Sequence, residues 1–155
     1  MTNQMKLEFV SKSINEGFAR VAIAAFMAGM NPTLEEVADV KTAVSEAVTN
    51  AIIHGYPEEE GTVVMTAEIQ DNLLQITILD EGKGMLNVGR AMEPLYTSRP
   101  DLERSGMGFA FMQAFMDTLT VESGPGVGTR VHMTKKLNEV NLIKAGVNER
   151  LNCLN

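Results

Sequence analysis

Glu46 and Asn50 stand four residues apart in the stretch Ser45-Glu46-Ala47-Val48-Thr49-Asn50-Ala51-Ile52-Ile53-His54-Gly55. At about 100° per residue, a four-residue step returns a helical side chain to within roughly 40° of its start. Glu46, Asn50 and His54 are therefore expected on one polar stripe, with Val44, Ala47, Val48, Ala51 and Ile52 on the apolar face. A carboxylate that can take a proton, beside an amide oxygen that can hold a hard cation, suits metal-assisted phosphoryl transfer. Glu46 would be the base, and Asn50 a single neutral ligand to a Mg²⁺ that keeps most of its waters. The same spacing also arises on ordinary solvated helices, so the remaining segments must decide. His54 reads as structural, or as a support for Asn50.

Three further segments carry chemistry. Asp80-Glu81-Gly82-Lys83-Gly84-Met85 ends the alternating run from Leu74 to Leu79. A carboxylate buried at a strand end can accept a hydrogen bond from an exocyclic amine and so tell adenine from guanine. Alone, Asp80 reads first as a turn residue before glycine. Gly82 and Gly84 let the backbone approach a flat base or turn sharply. Arg104-Ser105-Gly106-Met107-Gly108 runs into an apolar helical stretch, where free backbone N–H groups and the helix dipole make an anion site. Arg104 could grip terminal phosphates as a bidentate donor, or be an exposed loop charge. No G-x-x-x-x-G-K-[ST] loop exists, and neither Gly82 nor Gly106 belongs to a G-x-G-x-x-G fingerprint. Gly126-Val127-Gly128-Thr129 lies between two strand-like runs.

The elements that must position these residues follow from periodicity. Residues 6–11 predict a strand with Leu7 and Phe9 on one face. Residues 14–30 predict a helix with Phe18, Val21, Ala22, Ala25 and Phe26 inward. Thr33 with Glu36 is a capping-box start for a helix over 34–54, which Gly55 should close as a glycine C-cap. Residues 62–70 and 73–79 predict a hairpin turning at Asp71-Asn72. Residues 82–104 show no sustained period and form a long loop, a length usual for lids and binding loops. A third helix is expected over 106–116, and last strands over 119–123 and 129–135. Residues 137–155 carry apolar steps of three and four broken by Gly146, and predict a frayed helix or a disordered extension.

Composition bounds the function classes. The chain of 155 residues has the size of one domain with a proper core. Its net charge of −7 argues against binding nucleic acid, which needs a basic surface to neutralise phosphates. The single cysteine, Cys153, supports no internal disulfide. The longest apolar run, residues 21–30, is too short to span a bilayer. With no signal peptide in view, the expected location is cytoplasmic.

Taken in order and spacing, the four chemical segments resemble the GHKL nucleotide-binding fold of gyrase, Hsp90, MutL and histidine kinases. The wording from Ser45 to Gly55 resembles the anti-sigma factor kinases. Pro94-Leu95-Tyr96-Thr97, with Glu103-Arg104-Ser105-Gly106-Met107-Gly108-Phe109, narrows it to the anti-sigma F group. The resemblance covers about residues 5–136 and implies an α+β, two-layer sandwich of the GHKL/Bergerat type. In it, a mostly antiparallel sheet is covered on one face by helices. Residues 1–136 would be the ATP-binding kinase domain and 137–155 an extension.

By that resemblance, Asp80 bonds the adenine N6, and Thr129 supports the base through its hydroxyl. Gly82, Gly84, Thr97, Arg104, Ser105, Gly106, Met107 and Gly108 would complete the ATP or ADP site, with Mg²⁺ on Asn50. Residues 86–103 would be the lid, although Leu86-Asn87-Val88-Gly89-Arg90 is less acidic than in relatives and has an added glycine. The implied activity is that of a homodimeric serine kinase that sequesters a sigma factor of the sigma F type. Its substrate would be a serine of a STAS-domain anti-anti-sigma protein (SpoIIAA type). Glu16 and Arg20, one turn apart on the first predicted helix, would dock both partners. A nucleotide-gated binding module without kinase activity is the alternative, against which Glu46 speaks. A histidine-kinase catalytic domain is disfavoured because no phospho-acceptor helix pair precedes the fold. Gyrase- and MutL-like ATPases need a transducer domain, for which the length leaves no room.

Overall fold

The computed structural model describes residues 2–93 and 107–138. Strand β1 (Thr2–Val10) leads into helix α1 (Ile14–Met27), and a 3₁₀ turn (Ala28–Met30) follows. Helix α2 (Leu34–Asn50) continues as a π-helical turn over Ala51–Gly55. Strands β2 (Thr62–Gln70) and β3 (Leu73–Asp80) form a hairpin whose turn residue Asp71 takes φ 56°. A short helix α3 (Val88–Ala91), helix α4 (Gly108–Phe115) and strands β4 (Thr118–Gly124) and β5 (Gly128–Lys136) complete the described chain.

The five strands pair in the order β1-β2-β3-β5-β4, and every pairing is antiparallel. The expected α+β sandwich is therefore what forms, with the sheet antiparallel throughout. Alternation sets its two faces. Val63, Met65, Ala67 and Ile69 of β2 are buried, as are Leu74, Ile76 and Ile78 of β3. The opposite face carries Glu68, Gln75, Thr77 and His132, none of them buried. The helices cover the apolar face, with α2 packed against both α1 and α4. The α2 face expected from periodicity is the one that packs: Val44, Ala47, Val48, Ala51 and Ile52 are all buried.

Local signals set the ends of these elements. Thr33 Oγ1 accepts the Glu36 N–H and the Glu36 carboxylate accepts the Thr33 N–H, so the capping box forms in full. The other Glu36 oxygen accepts the Asn138 N–H, and the Asn138 amide donates to the Met30 carbonyl. Leu137 is fully buried, so the packed domain runs beyond residue 136. Residues 139–155, most of the expected extension, lie outside the described residues, as do 94–106.

Three expectations are corrected. On α1 the buried residues are Ala19, Ile23 and Met27. Of the expected inward residues, Ala22 and Phe26 are half-buried and pack against the core, whereas Phe18 is 54% and Val21 63% exposed, and Ala25 is also exposed. Both stripes are apolar, and the side of the helix that meets α2 is decided by packing. Gly55 does not cap α2 in a left-handed conformation; only Gly84, Gly126 and Gly128 take positive φ among the described glycines. The loop after Lys83 is also not featureless. Asn87 Oδ1 accepts the Arg90 N–H and starts α3.

Ile23→Ala and Leu137→Ala should each cost about 2–5 kcal/mol in urea unfolding, because both side chains are fully buried. A cost below about 0.5 kcal/mol for Ile23→Ala would show that the inward face of α1 lies elsewhere.

Candidate functional site

A cavity of about 530 Å³ opens between the end of α2, the end of β3 and the start of α4. That size lies within the range of small-molecule sites. Asn50, His54, Asp80, Gly84, Gly108 and Thr129 all line it. Its wall also includes Leu86, Asn87, Arg90, Met92 and Glu93 from the α3 segment, the first part of the expected lid. Thr97, Arg104, Ser105 and Gly106 fall outside the described residues.

The helical step of four brings Glu46 and Asn50 to one place, and the start of α4 meets them there. A Cβ built on Gly108 would stand 3.1 Å from Glu46 Oε2 and 3.2 Å from Asn50 Nδ2. The first residue of α4 thus sits against both side chains, with Met107 just before it as N-cap. A helix start offers N–H groups without partners inside the helix. Here that start faces the cavity next to an amide and a carboxylate. The stripe does not run on regularly to His54. The backbone changes to i→i+5 spacing after Asn50, a variant often found at functional sites. His54 still reaches the cavity wall.

Asp80 occupies the next inward position after Leu74, Ile76 and Ile78, where alternation calls for an apolar side chain. It is 4% exposed. Its Oδ1 accepts the Gly82 N–H at 3.0 Å. Burial pushes its pKa from 3.8 up to about 6, against the pull of the Gly82 and Thr129 backbone N–H groups. Gly55 makes room for it, since a Cβ there would lie 2.7 Å from Asp80 Oδ1. Gly82 is glycine for a related reason. A side chain on it would collide with the Gly55 backbone, and Lys83 N–H donates to the Gly55 carbonyl at 2.9 Å. Gly84, at φ 70°, turns the chain beneath the Gly124 carbonyl. These glycines admit neighbouring backbone, which the sequence alone could not distinguish from room for a base.

Thr129 pairs with Asp80 across β3 and β5. Ser123 Oγ accepts the Met85 N–H at 2.8 Å, donates to the Gly128 carbonyl at 3.0 Å and meets Thr129 Oγ1 at 2.8 Å. A serine hydroxyl has one proton, and either hydroxyl can donate across this contact. Where Ser123 gives its proton to the Gly128 carbonyl, Thr129 is the donor to Ser123, and the lone pairs of Thr129 Oγ1 remain as acceptors beside Asp80. Sequence reasoning missed Gly55 on the cavity wall, and Ser123 and Tyr56, which bond backbone next to it. Only Gly55 left a trace, as a glycine directly after the Glu46–His54 stripe, and it reads first as a helix stop.

Among the described residues, no cluster of three or more His, Cys, Asp or Glu could cage a metal. Asn50 fits Mg²⁺ only as one oxygen ligand to an ion held mainly by phosphates and water, which is how this hard cation commonly binds.

Because the folded chain holds the Asp80 proton more tightly than the unfolded chain, the stability from this group is full below pH 3.8. It is lost as the pH rises to about 6 and is level above that. Asp80→Asn should flatten that decline, by up to about 3 kcal/mol between pH 4 and 7. Urea unfolding at several pH values reads the difference, and parallel pH profiles for the two proteins would refute the raised value.

A sequence profile described as a histidine kinase-like ATPase domain matches residues 13–135. The chain is 61% identical over 139 residues to an anti-sigma F factor of Clostridium beijerinckii, covering 89% of this chain and 97% of that protein. It is 62% identical over 137 residues to an anti-sigma F factor of Clostridium botulinum (88% and 96% covered). A Thermoanaerobacter anti-sigma F factor is 58% identical over 134 residues (86% and 94% covered). Among solved structures, the RsbU and RsbW domains of Rv1364c from Mycobacterium tuberculosis align at TM-score 0.64 and 18% identity. That alignment covers 87% of this chain and 32% of the other, and shows the fold alone. The chain belongs to the histidine kinase-like ATPase family and, within it, to the anti-sigma F factors.

Proposed function

We propose that this protein is a Mg-ATP-dependent serine kinase that also binds a sigma factor, acting in the cytoplasm. The observation that supports it most is the meeting of Glu46 and Asn50 at Gly108, the first residue of α4, where Asn50 and Gly108 line a cavity whose wall also holds buried Asp80. Adenine would donate its N6 amine to Asp80, with the Thr129 hydroxyl beside it. The phosphates would lie toward the N–H groups at the start of α4 and the residues before it, from Arg104 to Met107. Asn50 would hold Mg²⁺, which supplies positive charge against the phosphate oxygens.

Glu46 would take the proton of a serine hydroxyl as that oxygen bonds the γ-phosphorus and the bond to the β-phosphate oxygen breaks, releasing ADP. Positioning and electrostatics carry most of such a reaction, so an ordinary carboxylate suffices as base. The acceptor serine would belong to a STAS-type anti-anti-sigma protein, and the sequestered partner would be a sigma factor of the sigma F type. Two features of the chain favour a homodimer. Ile14, Phe18 and Val21 are exposed on α1, and β1 pairs on one side only among the described residues. Glu16 and Arg20, 3.7 Å apart on α1, would form the docking point for both partners.

With γ-labelled ATP and a purified STAS partner, the unaltered protein should transfer label. Glu46→Gln should lower transfer by at least about 100-fold while leaving ATP affinity within a few fold. Tight ATP binding by both proteins with no transfer by either would favour a gated binding module instead. Arg20→Glu should weaken the sigma and STAS complexes together in pull-down titrations and leave ATP binding unchanged. Both complexes surviving intact would remove Arg20 from the docking surface.

A further inference from the structure

Tyr56 follows the π turn directly, and its hydroxyl uses both its acceptor and its donor capacity on backbone. It accepts the Glu81 N–H at 2.8 Å and donates to the Thr62 carbonyl at 2.8 Å. Pairing of β2 with β3 ends at Val63 opposite Asp80. Thr62 and Glu81 would be the next rung, and the tyrosine hydroxyl bridges them. The residue so held is the one immediately after Asp80, and Gly82 beyond it donates to the Asp80 carboxylate.

The ring is held in turn. It lies over Gly61, where any side chain would collide with it. Gly61 is clamped by Ser11, whose N–H donates to the Gly61 carbonyl and whose Oγ accepts the Gly61 N–H, both at 2.9 Å. Burial pushes the Tyr56 pKa up, so the hydroxyl keeps the proton it gives to Thr62. The hydroxyl lies outside the cavity wall, and its reach to the site is through backbone.

We propose that Tyr56 is a positioning residue for base selection: by bridging Glu81 N–H to the Thr62 carbonyl it fixes the strand exit that aims Asp80, and so sets the preference for adenine over guanine. This rests on the reading of Asp80 as the base-recognising acceptor. Adenine presents a donor amine where guanine presents a carbonyl oxygen, so a carboxylate discriminates only if it is held at the right place. A displaced carboxylate loses adenine affinity without gaining or losing contact with the phosphates. The effect is confined to the base.

The test compares Tyr56→Phe, which keeps the ring over Gly61 and deletes the hydroxyl, with the unaltered protein and with Asp80→Asn. Calorimetric titrations with ATP, GTP and tripolyphosphate are run well below each protein's unfolding temperature. Tyr56→Phe should bind ATP roughly tenfold more weakly and lose a similar factor in ATP-over-GTP preference, with tripolyphosphate affinity unchanged. Equal weakening for all three ligands, or none, overturns the proposal in favour of a purely structural tyrosine. Loss of preference in Asp80→Asn but not in Tyr56→Phe refutes Tyr56 alone. An unaltered protein with no preference for ATP refutes the adenine reading and the proposal with it. Amide exchange gives a readout that needs no variant. The Glu81 N–H should be protected in the unaltered protein, and exchange at the rate of an open loop would overturn the bridge.

Discussion

A carboxyl group buried at the inward end of β3 is the constraint around which this end of the molecule is built. Burying a carboxylate is costly unless donors meet it, and a raised pKa measures the part left uncompensated. The Gly82 and Thr129 backbone N–H groups supply donors to Asp80. Holding them there fixes the strand exit, the β5 register and the approach of Gly55. The site is thus a place where stability is given up for a polar group aimed into a cavity, an arrangement expected of a binding site and not of a core.

The second organising contact is the start of α4 against the flank of α2. Glu46 and Asn50 are brought together by helical geometry alone, but nothing in that stripe says what it faces. Gly108 answers this, because its missing side chain lets a helix start lie directly on both groups. The π turn at Ala51–Gly55 then delivers His54 to the cavity and Gly55 to Asp80. One change of helical spacing therefore links the two ends of the cavity, the one at Asp80 and the one at the start of α4.

The same helical layer leaves apolar surface uncovered among the described residues. Helix α1 has two apolar stripes and spends one, Ala19, Ile23 and Met27, on the core. The other, with Ile14, Phe18 and Val21, remains exposed, and β1 pairs on one side only among the described residues. Scattered exposed apolar residues are ordinary, but a stripe of them along one helix, like an open strand edge, is the kind of surface that proteins usually cover. The Glu16–Arg20 pair lies on the opposite side of the same helix, flanking the buried stripe. Ser11, between β1 and α1, bonds Gly61, the Tyr56 ring packs over Gly61, and the Tyr56 hydroxyl bonds the residue after Asp80. A chain of side-chain contacts therefore runs from the β1–α1 junction to the Asp80 end of the cavity.

The sequence by itself determined whatever depends on local geometry. Alternation fixed β2 and β3 and their buried faces, and the Thr33–Glu36 box fixed the start of α2. The four-residue step fixed the meeting of Glu46 and Asn50, and a carboxylate continuing an apolar alternation marked Asp80. Tertiary structure decided everything that depends on which surfaces meet. Either stripe of α1 satisfied the periodicity, and only contact with α2 selected one. Gly55 looked like a helix stop because a sequence does not show the carboxylate that takes the place of its side chain. Tyr56 and Ser123 carry no motif at all, since most of their partners are backbone groups, 5 to 38 residues away. Backbone donors and acceptors are alike at every position, so only folding can say which of them a hydroxyl will find.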